Sequence, residues 1–264
     1  MGHHNRHFAG DSHALSGAWS PPTSSANFCE EDYAVTRYLA EFINTLTNLV
    51  YVFFALQYMY GPGSRGLFAP KFDFMSISLL ILGIASFLFH ASLRQNLQFG
   101  DELAMLGIVW SILQGLLTVR RSSTYDRFIN TSLAVVFPFF AVFYLWTGKI
   151  IYHVIGFALA IAVIIIRGVY LFYWRKPGFS ETKVAEWRIR GLIALVLMGV
   201  AYILWHIDLE LCAELRELRE HLGLPWAWLL EMHGWWHVLT AMSAARIMDI
   251  VREVQTHLKT EKEE

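Results

Sequence analysis

The sequence predicts an all-α integral membrane protein: a bundle of seven transmembrane helices, amino terminus lumenal and carboxyl terminus cytosolic. Three observations carry this. Of 264 residues, 55% are hydrophobic and only 16% charged, and the mean hydropathy is +0.40, unusually apolar for a soluble domain. Apolar runs near the roughly 20 residues that cross a bilayer recur seven times, at 37–60, 72–92, 101–119, 128–147, 150–174, 190–210 and 225–248. Cationic residues are dense in alternate connections, which is how a spanning chain orients itself. A net charge of −1 without a basic stripe excludes nucleic acid as a partner.

Taken in order, residues 1–17 read as a flexible extension. They lack the apolar stretch of a cleavable signal peptide, and His3, His4, His7 and His13 lie in a compositionally biased segment. The first run follows the acidic segment "NFCEEDYAVTRYLAE", contains Glu41, and leads to a connection with Arg65 and Lys71. The second closes on "GIASFLFHASL", which places Ser86 and His90 near its end, and Arg94 marks the turn. The third opens on "GDELAML" with Asp101 and Glu102 and runs into "RRSSTYDR", holding Arg120, Arg121 and Arg127. A short connection with Lys149 joins the fourth and fifth, and "RKPGFSETKVAEWRIR" follows the fifth. After the sixth, "WHIDLELC" leads to a connection with Arg216 and Arg219; the seventh carries "EMHGWWHVLT". The tail holds Arg246, Arg252, Lys259 and Lys262. The richer side is cytosolic by the positive-inside rule. The spanning domain is therefore 18–250 and the cytosolic tail 251–264, with no internal repeat and no second domain.

Histidines and carboxylates inside spanning runs are functional suspects, because burying them in hydrocarbon is costly. His233 and His237 stand four apart and share one helical face, a metal-binding spacing. The familiar zinc motif with this spacing has a glutamate base after its first histidine. Here that position is Gly234, so a third ligand and a base must come from elsewhere. Ser86, His90 and Asp101 fall at the lumenal ends of their runs, and His233 and His237 in the lumenal half of theirs, all at comparable depth. Three imidazoles make a zinc site with a fourth position open to water, and zinc makes that water a nucleophile near neutrality. Asp101 would move its proton, and Ser86, one turn before His90, would steady a developing oxyanion. A lone intramembrane histidine more often packs and hydrogen-bonds, the plainer reading of His153 and His206. Asp208 and Arg167 read as structural charges of the bundle interior.

Cys29 and Cys212 both fall on the lumenal side, where a disulfide persists; two free thiols are the alternative. Glu30, Glu31, Asp32 and Glu41 are hard oxygen donors of the kind calcium takes. The alternative is an acidic helix amino terminus favoured by the helix dipole.

With "NFCEEDYAVTRYLAEFINTLTNL", "ASFLFHASLRQNLQFGDELAM", "WHIDLELC" and "HGWWHVLT" in this order over about 18–250, the chain resembles the alkaline ceramidases. These lie within a wider group of seven-span zinc hydrolases that includes the adiponectin receptors. The resemblance implies hydrolysis of the amide bond of ceramide, or of dihydro- or phytoceramide, to a sphingoid base and a fatty acid. It places Zn2+ on His90, His233 and His237, with Asp101 as base and then acid and Ser86 on the oxyanion. It places Ca2+ on Asn27, the carbonyl of Phe28, Glu30, Asp32 and Glu41, and pairs Cys29 with Cys212. It further implies a substrate drawn from the bilayer, no obligate protein partner, and an endoplasmic reticulum or Golgi membrane. The family's calcium segment reads Asp-Trp-Cys-Glu-Glu-Asn; here Asn27 and Asp32 exchange amide for carboxylate, and Phe28 replaces the tryptophan. A seven-span receptor or a lipid-remodelling hydrolase of the same superfamily are the alternatives.

Overall fold

A computed structural model describes residues 11–119, 123–174 and 178–263, with side chains as far as residue 257. His3, His4, His7, Arg120, Arg121, Arg175 and Lys176 lie outside the described residues, as do the side chains of Lys259 and Lys262. Among the described residues there are nine α-helices, and no strand beyond an isolated bridge between Thr36 and Leu39. The helices are α1 (Phe42–Thr47), α2 (Leu49–Met59), α3 (Phe74–Ser92), α4 (Gln95–Leu117), α5 (Ser123–Thr147), α6 (Ile150–Val169), α7 (Glu181–Glu210), α8 (Cys212–Leu222) and α9 (Met232–Glu263).

Among the described residues six segments are long and apolar enough to cross a membrane: α1 with α2, α3, α4, α5, α6 with the π turn Tyr170–Trp174, and α7. The seventh expected run differs. Its first residues form a 3-10 turn, Trp226–Leu230, and the helix proper starts at Met232. Two imidazoles, and charged residues from Arg246 onward, dilute its apolar character. The first run is likewise divided, at Asn48, between α1 and α2.

By its contacts the chain forms two compact units, and the divisions fall inside α4, α7 and α9. The first comprises the described part of Met1–Asp101 with Leu195–Ser243. Asp73 starts α3 with a capping box: its carboxylate accepts from Ser76 N at 2.6 Å, while Ser76 Oγ accepts from Asp73 N at 3.1 Å. A helix end leaves its last carbonyls without intrahelical donors. In α3 two of these are met by the chain entering α1, with Glu41 N on His90 O at 3.0 Å and Ala40 N on Ala91 O at 2.9 Å. That pairing seats Glu41 beside His90. α1 and α2 pack on α3, and Gly83 permits the close approach: a Cβ there would lie 2.8 Å from Val52 Cγ2 and 3.0 Å from Tyr51 Cβ.

The second unit comprises the described part of Glu102–Ala194 with Ala244–Glu264. Val109, Leu113 and Ala160 form an apolar cluster joined by Leu133 and Phe137, and Trp110 stacks on Phe137. His153 Nε2 meets the Glu102 carbonyl at 2.9 Å, Tyr144 donates to the Glu102 carboxylate, and Arg167 donates to the carbonyls of Leu116 and Val119 at the end of α4. These are the structural roles of the plainer sequence reading for His153 and Arg167. Val135, Phe139, Leu159 and Ile166 stay exposed, as side chains that face hydrocarbon do.

Cys29 and Cys212 form a disulfide with Cα atoms 5.3 Å apart, closing a separation of 183 residues. Such a link stabilises largely by restricting the unfolded chain, typically by about 2–4 kcal/mol. Cys29→Ser is expected to lower the melting temperature by several degrees in oxidising buffer. If the same gap persists after both proteins are reduced, the bond is not its source.

Candidate metal centre

The end of α3 and the first turns of α9 bring His90, His233 and His237 together, with one ligand nitrogen from each within 4.8 Å of the others. All three are 3% exposed or less. Their ring centroids are 4.6 to 5.0 Å apart. Two of the rings are oriented by partners behind them. The Glu41 carboxylate accepts from His90 Nδ1 at 2.5 Å. The Thr47 hydroxyl donates to the Ile43 carbonyl at 2.9 Å and so accepts from His237 Nδ1 at 3.0 Å. With the proton on Nδ1 in each bond, Nε2 keeps the lone pair a metal needs, as in carboxylate–histidine–metal arrangements. His233 Nδ1 is buried without a hydrogen-bond partner among the described residues. The donor set therefore fits a metal ion. Gly234 has a packing reason: a Cβ there would stand 3.0 Å from Ile43 Cγ2 and 3.4 Å from Thr47 Cγ2, in the contact that carries Thr47 to His237.

Ser86 is buried one turn before His90 on the same face of α3. Asp101 is half-buried on α4, close enough to the Tyr51 hydroxyl for its charge to act there. Tyr51 in turn bonds Thr240 at 2.5 Å, and its ring lies edge-on to His237 with centroids 6.4 Å apart. The same compact unit thus holds all five expected zinc-site residues.

The acidic segment lies against this centre. Gln98 Oε1 accepts from Ser25 N and Ala26 N at 2.8 and 3.1 Å, which pins the chain just before it to α4. Glu30 accepts from Ile43 N at 2.6 Å and Asn44 N at 2.8 Å, so it caps the start of α1. Glu41 Oε1 accepts from Phe28 N at 3.1 Å. Asn27 Nδ2 donates to Asp32 Oδ2 at 3.4 Å, while Asn27 Oδ1 and Asp32 Oδ1 are buried without hydrogen-bond partners among the described residues. Burial raises the Glu30 carboxyl well above the usual carboxylate range, with the Glu231 charge adding to it. Burial likewise lifts Asp32 to about 7, helped by the charges of Glu41 and Asp11. Glu31 lines a polar surface cavity with Asp11, His13, Asp32 and Arg216.

The Phe28 ring stacks on His233, centroids 3.5 Å apart, and lies 5.3 Å from His90. The side chain of Phe28, and not only its carbonyl, therefore belongs to the centre. Thr47 and Thr240 were not legible in the sequence. The trace that exists is the spacing of Thr47 and Tyr51, four apart in "TNLVY", and it is too common to be a signal.

The family model described as Ceramidase matches residues 20–264. The chain is 29% identical over 244 residues to alkaline ceramidase YPC1 of Saccharomyces cerevisiae, covering 87% of this chain and 76% of the yeast protein. It is 27% identical over 236 residues to mouse alkaline ceramidase 3, covering 86% and 82%. It is 28% identical over 233 residues to the alkaline ceramidase of Arabidopsis thaliana, covering 87% and 83%.

Proposed function

We propose, on the premise that this chain belongs to the ceramidase family, that it is a zinc-dependent amidase of the membrane. It hydrolyses ceramide, or its dihydro or phyto form, to a sphingoid base and a free fatty acid. The observation that carries the reading is the buried convergence of His90, His233 and His237, two of them oriented from behind by Glu41 and Thr47.

Zinc on three imidazoles supplies Lewis acidity that makes a water nucleophilic near neutral pH. The chain's residues do the rest. Asp101 accepts a proton from the attacking water as the new C–O bond forms, then delivers it to the amine nitrogen as the C–N bond breaks. The Ser86 hydroxyl donates to the oxygen on which negative charge develops. Burial of the triad keeps bulk water away and strengthens these interactions.

The reading includes seven spans, with α9 as the last, the amino terminus lumenal and the carboxyl terminus cytosolic. Residues 18–250 are the catalytic domain, flanked by the extension 1–17 and the tail 251–264, in an endoplasmic reticulum or Golgi membrane. Ceramide has two long chains and a small head, so it arrives from within the bilayer. Calcium is the second cation, on Asn27, the Phe28 carbonyl, Glu30, Asp32 and Glu41. Its support is the pair of unpartnered buried oxygens on Asn27 and Asp32, in a cluster of carboxyls whose ionisation burial opposes and a hard cation favours.

The test is release of sphingoid base from ceramide in mixed micelles by the purified protein. Turnover is expected to vanish on stripping zinc with a zinc-selective chelator, calcium being kept in the buffer, and to return when zinc is restored. An ester-linked lipid of matched chain length is expected to be a poor substrate. A chelated enzyme at full rate sinks the zinc reading, and preference for the ester sinks the substrate.

A further inference from the structure

The first amides of a helix have no intrahelical acceptor, and the turn frays unless something outside accepts from them. His233 is the second residue of α9, so its amide is one of these. Gly234 follows, a residue that costs helix stability in just this turn. The acceptor comes from another helix. Asp208, in the last turn of α7 and 1% exposed, takes the His233 amide on Oδ1 at 3.2 Å. Its other oxygen takes the Cys29 amide at 3.0 Å. Cys29 is itself held by the disulfide and by Arg216 Nε and Arg219 Nη2 on its carbonyl at 3.0 and 3.2 Å. One carboxylate therefore ties the backbone of a metal-site histidine to a braced point far away in sequence.

We propose that Asp208 is a positioning residue for the metal centre: by bridging the amides of Cys29 and His233 it fixes the first turn of α9, and with it the imidazole of His233. This rests on the metal-site reading above. A carboxylate is suited to the task because it offers two acceptor oxygens and its negative charge is favoured at a helix amino terminus. His237, one turn further on, has intrahelical bonds and Thr47 to hold it, so the dependence is specific to His233.

The test uses the full-length protein and Asp208→Asn, which keeps the shape but offers one acceptor oxygen and turns an NH2 toward the other amide. In metal-free protein, hydrogen exchange at 232–234 is expected to quicken by roughly tenfold or more while exchange beyond residue 240 is unchanged, the signature of local opening. Zinc affinity is expected to fall by roughly 10- to 100-fold, the range for lost outer-shell support, with an altered visible spectrum of the cobalt-substituted form. Asp208→Glu, which keeps two acceptor oxygens, is expected to recover part of both, and it serves if the asparagine variant does not fold. A variant that melts earlier but keeps parental exchange at 232–234, zinc affinity and cobalt spectrum overturns the proposal. If the parent binds neither metal, the zinc reading falls, and exchange at 232–234 still decides whether Asp208 holds that turn.

Discussion

Replacing His237 by alanine is expected to remove zinc and reduce ceramide hydrolysis to background while leaving a folded protein. His237 is one of three imidazoles in the centre, and its outward nitrogen is committed to Thr47. Two imidazoles cannot hold the metal at ordinary zinc concentrations, and the lowering of the water pKa to about 7 is lost with it. A fall of at least about 10^4-fold in turnover is therefore expected. The fold loses one hydrogen bond of net worth about 1 kcal/mol and the packing of one buried imidazole, while Thr47 keeps its bond to the Ile43 carbonyl. Elemental analysis, turnover and thermal melting on the same preparation check this. Parental turnover in the alanine variant would falsify the assignment of His237 to the metal.

Asp101→Asn is expected to separate proton transfer from metal binding. The amide matches the carboxylate in size but takes no proton, so turnover is expected to fall by about 10^2–10^4-fold with stoichiometric zinc retained. The acid limb of the kcat/KM profile, which reports the essential base of the free enzyme, is expected to flatten. Loss of zinc together with turnover would instead make Asp101 a ligand or a support of one. The expectation that this carboxylate works at the centre rests on its place near the Tyr51 hydroxyl, which bonds Thr240 one turn beyond His237.

Much of the site was legible because its signals are local. His233 and His237 repeat at the helical period, as do Ser86 and His90, and a charged group in an apolar run stands out against its neighbours. The start of α9 was not legible. Nothing in the apolar residues after Pro225 says that the chain makes a 3-10 turn before the helix begins at Met232. The acidic segment also divided in a way that composition could not show: Glu30 caps α1, whereas Glu41 turns to His90 and Phe28. Carboxylates in a row look alike, and their roles depend on which amide or ring each one meets.

By itself the sequence determined an all-helical chain with helices apolar enough to cross a membrane, the histidines and carboxylates set in them, and membership of a family. Hydropathy and helical spacing are properties of neighbouring residues, so a single chain displays them. Tertiary structure alone decided that Glu41 and Thr47 orient His90 and His237, that Phe28 lies on His233, and that Asp208 joins Cys29 to His233. Those partners are separated by 49, 190, 179 and 25 residues in the case of the hydrogen bonds. Bonds between a side chain and a distant backbone amide or ring leave no period behind, and only the folded chain brings their two ends together.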